Sequence, residues 1–193
     1  MRIISGTAKG RRLFTPTDGT KTIRPTADRA REAVFNIIGP TISGSHVLDL
    51  FAGTGAFGCE ALSRGAASVL FVDNSKKALT LVARNISLIP NGPQRATVRQ
   101  ANLSKSLGIV TNGSAGETRR YDLIFADPPY GTDLANTVLH LIDHSTVLSQ
   151  EAVIIIEENK LFSPPHNLEH LTQIDSRRYG DSLFSFFRST RET

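Results

Sequence analysis

From His46 onward short apolar runs alternate with amphipathic stretches, and few folds accept that pattern. Residues 47–51, 68–72, 96–101, 121–126 and 153–156 read as strands, the first compact and apolar. Between them lie a helix ending near Gly65, a helix capped by Ser75 with Ala78, Leu79, Val82 and Ile86 on one face, and a helix carrying Leu134, Val138, Leu141 and Ile142. The alternation of short strands and amphipathic helices predicts an α/β domain, a Rossmann-like doubly wound sheet with mainly parallel strands. The last segment departs from the alternation. Residues 171–178 and 183–188, joined by Tyr179-Gly180-Asp181-Ser182, read as a hairpin, so the C-terminal edge is expected to be antiparallel.

The segment Asp49-Leu50-Phe51-Ala52-Gly53-Thr54-Gly55-Ala56-Phe57-Gly58 joins the first strand to its helix. Gly53, Gly55 and Gly58 satisfy G-x-G-x-x-G, and Asp73 follows Gly53 by 20 residues at the end of the next strand. That combination marks a nucleotide-binding turn, with the aspartate accepting hydrogen bonds from a ribose. A dinucleotide such as NAD fits the pattern. Asp49, inside the strand end, favours a ligand with a cationic amino group there, because a carboxylate would repel a pyrophosphate. S-adenosylmethionine has that ammonium. Asp73 also has a plainer reading, as a turn residue before the Ser75 cap.

Asp127-Pro128-Pro129-Tyr130 ends the fourth strand, with Asp127 standing 72 residues after Gly55. A residue before proline is driven to extended geometry and each proline fixes its own φ, so Asp127 is aimed outward at the carboxyl edge of the sheet. The turn could be a plain chain reversal. Its chemical reading is a pocket for a planar ring bearing an exocyclic amine. The Asp127 carboxylate and the Pro128 carbonyl each accept one N–H, and Tyr130 offers a face for stacking. Orienting such a weakly nucleophilic amine, and favouring the positive charge that grows on it, lowers the barrier to attack on a sulfonium methyl.

Charge is unevenly spread. The whole chain carries +4, but residues 1–45 hold eight basic residues against three acidic ones, a net +5, which leaves −1 for residues 46–193. This suggests a basic N-terminal extension, 1–45, on a near-neutral body, 46–193. Within it, residues 2–4 and 12–14 are strand-like, 15–25 read as loop, and 26–38 as a helix with Ala30, Val34, Ile37 and Ile38 on its apolar face. The longest aliphatic run, residues 152–156, is far short of the roughly 20 residues of a membrane span. The start lacks the apolar core of a signal peptide. One cysteine, Cys59, excludes an internal disulfide or a thiolate metal cage. A cytoplasmic protein without a metal is expected.

At these turns the chain resembles the class I S-adenosylmethionine-dependent amino methyltransferases. Three further segments narrow the likeness to the 16S ribosomal RNA guanine-N2 methyltransferase family of bacteria. They are Arg2-Ile3-Ile4-Ser5-Gly6 with Gly10-Arg11-Arg12-Leu13, Arg24-Pro25-Thr26 running into Arg29-Ala30-Arg31-Glu32-Ala33-Val34-Phe35-Asn36-Ile37, and the late Tyr179-Gly180-Asp181. The resemblance covers nearly the whole chain. It implies a seven-stranded sheet whose last strand is antiparallel, preceded by a small N-terminal extension. It implies methyl transfer from S-adenosylmethionine to the 2-amino group of a guanine in 16S rRNA, in free RNA or in a small-subunit particle, by a monomer. Carried over by position, Asp49, Phe51, Gly53, Thr54 and Gly55 line the methionine end of the cofactor. Asp73 and Asn74 lie at the ribose, and Asn102 and Leu103 flank the adenine. Asp127, Pro128, Pro129 and Tyr130 hold the target amine. Many relatives have aspartate where Asn102 stands; the amide oxygen can still accept. Lys9, Arg11, Arg12, Arg24, Arg29 and Arg31 are the candidate phosphate contacts, with Arg24 nearest the site.

Rival readings keep the cofactor with another amine, adenine N6 in DNA or a protein glutamine, or keep the fold as a non-catalytic RNA-binding module. His140 and His144 stand four apart on a helix, but Leu141 occupies the place where zinc hydrolases carry glutamate. His166 and His170 have no third ligand nearby. Glu157-Glu158 ends the fifth strand with no assigned role.

Overall fold

The computed structural model describes residues 1–16, 25–104 and 119–191. Its contacts fall into two compact units, Met1–Gln100 and Ala101–Thr193. The basic N-terminal segment, residues 1–45, lies in the same unit as the glycine turn.

The first unit is built on three parallel strands. β1 (His46–Leu50) pairs with β2 (Ser68–Asp73), Asp49 opposite Phe71, and β2 pairs with β3 (Ala96–Gln100), Asp73 opposite Gln100. Val47, Leu48 and Leu50 are fully buried, as are Phe71 and Val72, as parallel strands covered on both faces require. α1 spans Pro25–Ile38, α2 Ala56–Ser63 and α3 Lys76–Ile86. Ser75 caps α3 as expected, its Oγ accepting from the Ala78 N–H at 3.3 Å. A short 3-10 turn, Gly39–Ile42, and a one-turn helix α4, Gly92–Arg95, were not legible from periodicity.

The apolar face of α1 differs from the expected one. Ile37 is 43% exposed, and Phe35 is buried in its stead beside Ala30 and Val34. The Phe35 ring stacks on Phe57 of α2 at 4.6 Å, and the Arg64 guanidinium lies 4.8 Å from its centre. That aromatic anchor turns the helix toward positions 30, 31, 34 and 35. The segment before α1 forms a single antiparallel bridge, Arg2 with Arg12, not two full strands. Ile3, Ala8 and Leu13 are buried along it.

In the second unit β4 (Tyr121–Ala126) is parallel to β5 (Leu148–Asn159), and β7 (Ser182–Ser189) runs antiparallel to both β5 and β6 (Leu171–Tyr179). β5 is three times the expected length: its start, Leu148, pairs with Tyr121 of β4, and β7 pairs with it as far as Asn159. Helix α5 (Leu134–Asp143) buries Ala135, Val138, Leu139 and Ile142, so Leu134 and Leu141 lie off its packed face. In sheet order the strands run β3-β2-β1-β4-β5-β7-β6. This is the expected seven-stranded α/β sheet with its last strand antiparallel. Among the described residues no helix is long and apolar enough to cross a membrane.

Candidate active site

The glycine turn leaves the carboxyl end of β1. Phe51, Gly53 and Gly55 all take positive φ, 56°, 57° and 71°. For Phe51 that conformation costs roughly 1–2 kcal/mol, which the two glycines avoid. The three glycines do different work. A Cβ at Gly53 would meet only the Phe51 carbonyl at 3.8 Å, so this side of the loop is open. A Cβ at Gly58 would stand 2.3 Å from the Phe71 ring, so the third glycine lets α2 lie against β2.

Both aspartates brace this turn. Asp73 Oδ2 accepts from the Gly53 N–H at 2.9 Å and Oδ1 from the Ser75 N–H at 2.8 Å. It thus serves the loop and the helix start together, and each oxygen keeps a lone pair. Asp49 is buried rather than presented at the surface, and its Oδ2 accepts from the Gly58 N–H at 3.0 Å. Burial pushes its carboxyl up to about 8, with the nearby Asp73 charge adding and the Gly58 N–H opposing. A buried carboxyl of this kind is better satisfied by an approaching cation, which fits an ammonium-bearing ligand and disfavours a pyrophosphate.

Two residues not singled out in the sequence tie down the N-terminal segment, and one of them, Asn85, also holds the turn. Asn85 on α3 is fully buried; its amide donates to the Thr54 carbonyl at 2.8 Å and to the Phe14 carbonyl at 3.0 Å, and its oxygen accepts from the Phe14 N–H at 2.7 Å. Glu60 on α2, also fully buried, accepts from the Ile4 and Ser5 N–H groups at 2.7 and 3.0 Å and from Arg64 Nε at 2.7 Å. Ser63 adds a bond to the Ser5 carbonyl and one from the Ala8 N–H. A Cβ on Gly6 would sit 1.9 Å from the Ser63 carbonyl, so only glycine allows this docking. The visible signal was a charged residue inside the otherwise apolar helix Ala56–Ser63.

The basic residues divide. Lys9, Arg11, Arg12 and Arg29 are exposed, and Arg11 also donates to the Leu88 carbonyl. Arg31 is buried, its Nη2 donating to the Arg2 carbonyl at 2.6 Å and to Asp28 at 3.0 Å. The expected phosphate contact at Arg31 is corrected: this cation joins α1 to the N-terminal segment. Arg24 lies outside the described residues.

In the second unit Asp127 is half-buried, Pro128 buried, and Pro129 and Tyr130 exposed. The Pro129 carbonyl accepts from Thr132 Oγ1 at 2.7 Å. Tyr130 is 44% exposed, yet its hydroxyl is tied to Glu157 Oε1 at 2.9 Å and Ser182 Oγ at 3.0 Å. Burial, then the Glu157 charge, pushes the phenol up, so Tyr130 is neutral. Asn102 Oδ1 accepts from the Ser104 N–H and Oγ at 3.0 and 2.7 Å. Leu103 is buried beside it. Cys59 is fully buried and its thiol pushed up, again by burial, which leaves it inert. The His140 and His144 rings stack 6.5 Å apart on α5, and no cluster of three metal-ligating side chains occurs among the described residues.

The strand order is that of the class I methyltransferase fold. The model of the family described as Conserved hypothetical protein 95 matches residues 1–188, and the chain belongs to that family. It is 34% identical over 170 residues to Ribosomal RNA small subunit methyltransferase D of Escherichia coli K12, covering 86% of this chain and 80% of that protein. The protein of the same name from Buchnera aphidicola (subsp. Baizongia pistaciae) is 37% identical over 172 residues, covering 86% and 82%. The solved structure of Escherichia coli yhhF superposes with a TM-score of 0.79 at 27% identity, covering 100% of this chain and 99% of that one. SMU.776, solved in complex with SAH, shares the fold alone, at a TM-score of 0.62 and 17% identity over 86% of this chain and 50% of that one.

Proposed function

We propose that this protein transfers a methyl group from S-adenosylmethionine to the exocyclic N2 of a guanine in 16S rRNA. The observation that carries the reading is the Asp127-Pro128-Pro129-Tyr130 turn at the carboxyl end of β4, with a neutral tyrosine ring held exposed beside a carboxylate. The names of the small-subunit relatives support the RNA substrate. When bound, the cofactor supplies an electrophilic sulfonium methyl. Asp49, Phe51, Gly53, Thr54 and Gly55 are the residues to hold its methionine end. Asp73 with Asn74 takes the ribose, and Asn102 and Leu103 the adenine.

At the substrate, the Asp127 carboxylate and the Pro128 carbonyl each accept one N–H of the amine, which aims its lone pair and favours the charge it gains. The alkylated, ring-conjugated ammonium is acidic, so its proton leaves without a strong base. Tyr130 stacks on a guanine that is unpaired or turned out of its helix. Lys9, Arg11, Arg12 and Arg29 contact phosphates, and Arg24, outside the described residues, is the remaining candidate. The protein acts as a cytoplasmic monomer, and residues 1–45 are its RNA-facing part.

The test is labelled methyl transfer to RNA and to ribosomal particles from cells lacking the protein, followed by mapping of the modified base. N2-methylguanine at one position of 16S rRNA is expected. Label on adenine N6 or on a protein glutamine overturns the substrate, and no transfer to any acceptor overturns the reaction.

A further inference from the structure

Methyl transfer at the Asp127 turn makes no direct use of Glu157 or of the Tyr179-Gly180-Asp181-Ser182 turn, yet the structure brings both to one atom. Tyr130 has a single hydroxyl proton. With that proton donated to Glu157 Oε1 at 2.9 Å, the 3.0 Å contact with Ser182 is satisfied by the Ser182 O–H donating to the phenol oxygen. The phenol is then both donor and acceptor, with a partner on each of two strands.

The sheet register places those partners. On the antiparallel β5–β7 pair, Glu157 stands opposite Phe184 and Asn159 opposite Ser182. Side chains two residues apart along a strand share a face, so Glu157 and Ser182 are diagonal neighbours on one face of the sheet. Ser182 is held there by its turn. The Lys160 N–H donates to the Asp181 carbonyl at 2.8 Å, and Lys160 Nζ pairs with Asp181 Oδ1 at 2.9 Å. At the other end of the tyrosine, Pro129 fixes the entering backbone and its carbonyl is tied to Thr132. A ring that is 44% exposed is thus pinned at both ends.

We propose that Glu157 and Ser182 are positioning residues that hold the Tyr130 ring as a fixed stacking face for the target base. This rests on the methyl-transfer reading above. Hydrogen bonds between exposed side chains add little to stability, so their consequence is where the ring stands. Prior fixing of the ring removes an ordering cost from the step in which the base is seated.

The test is a double-mutant cycle on methyl transfer to the RNA or particle that the wild type modifies. Glu157→Ala should lower kcat about tenfold, with the cofactor dissociation constant unchanged. Glu157→Gln retains an acceptor and should recover most of that loss. In a Tyr130→Phe background Glu157→Ala should cost nothing more, because the bond it removes is already gone. Ser182→Ala should show a smaller loss, likewise absent in the Tyr130→Phe background. Thermal midpoints within a few degrees of wild type establish folding, and the Ser182 arm stands alone if Glu157→Ala does not fold. Losses that multiply in the double variant, or no rescue by glutamine, overturn the positioning role while leaving the reaction intact. A wild-type protein that transfers no methyl group overturns both.

Discussion

The turn after β1 and the turn after β4 are braced by opposite means. The first is held from inside. Asp73, Asn85 and Asp49 are all buried, and each bonds a backbone group of the loop or of the helix start that follows it. The second is held from outside, by a hydroxyl tied to Glu157 and Ser182 on the surface. Buried bonds to backbone groups fix the first loop while leaving the Gly53 side of it open. The turn after β4 instead leaves Tyr130 44% exposed, and the groups that fix its hydroxyl are two half-buried side chains.

The sharpest way to break that contrast is at Asp127. Asp127→Ala should cut turnover on the order of 10²-fold or more, as removal of one preorganised polar partner does, while calorimetry shows the cofactor dissociation constant nearly unchanged. A comparable drop in cofactor affinity would show that the outer turn also serves the inner ligand.

Glu60→Ala should do the reverse, lowering stability rather than turnover per folded molecule. It strands the Ile4 and Ser5 N–H groups and Arg64 together, at a cost of about 3 kcal/mol by denaturant unfolding. A change below about 1 kcal/mol would mean that the N-terminal segment is held by its apolar residues Ile3, Ala8 and Leu13 instead.

The same contrast explains what could be read from the chain. Parallel strands, the glycine turn, the Ser75 cap and the hairpin all follow from local chemistry, and they stand within a few residues of the expected places. The turn Asp127-Pro128-Pro129-Tyr130 at the end of β4 was legible because proline acts on its own neighbours. What was missed is long-range. Asn85 meets Thr54 across 31 positions, Glu60 meets Ile4 across 56, and Tyr130 meets Ser182 across 52. A side chain's partner across such distances is set by packing, which periodicity does not encode. Arg31 failed for the same reason: its charge was visible, but its burial under the N-terminal segment was not.

Asp49 gives a pH test of the inner turn. Its carboxyl stands at about 8 in the folded protein, against an ordinary value of 3.8. The folded state therefore keeps a proton that the unfolded chain has released. The stability tied to this group is full below 3.8, declines across the window between, and is lost as pH rises through about 8. The thermal midpoint of the ligand-free protein should fall over that window, and Asp49→Asn should flatten the fall. Cofactor binding near neutral pH should release protons, seen as buffer-dependent enthalpy. No release would place the ligand's ammonium away from Asp49.

The smallest effect concerns the exposed cations of the docked N-terminal segment. Glu60, Ser63 and Asn85 bond its backbone at Ile4, Ala8 and Phe14, so Arg11 and Arg12 are carried on a docked segment. Removing one phosphate-binding cation lowers the slope of log affinity against log salt by about 0.7–0.9. Neutralising both should flatten that slope by about 1–2, with methyl transfer at saturating RNA little changed. Arg31→Met is the contrast within the same segment. It should reduce stability and leave the salt slope alone, since its guanidinium is spent on the Arg2 carbonyl and Asp28. Equal slopes for wild type and the Arg11/Arg12 variant would remove this face from the RNA interface and leave Arg29 and residues beyond the docked segment to carry it.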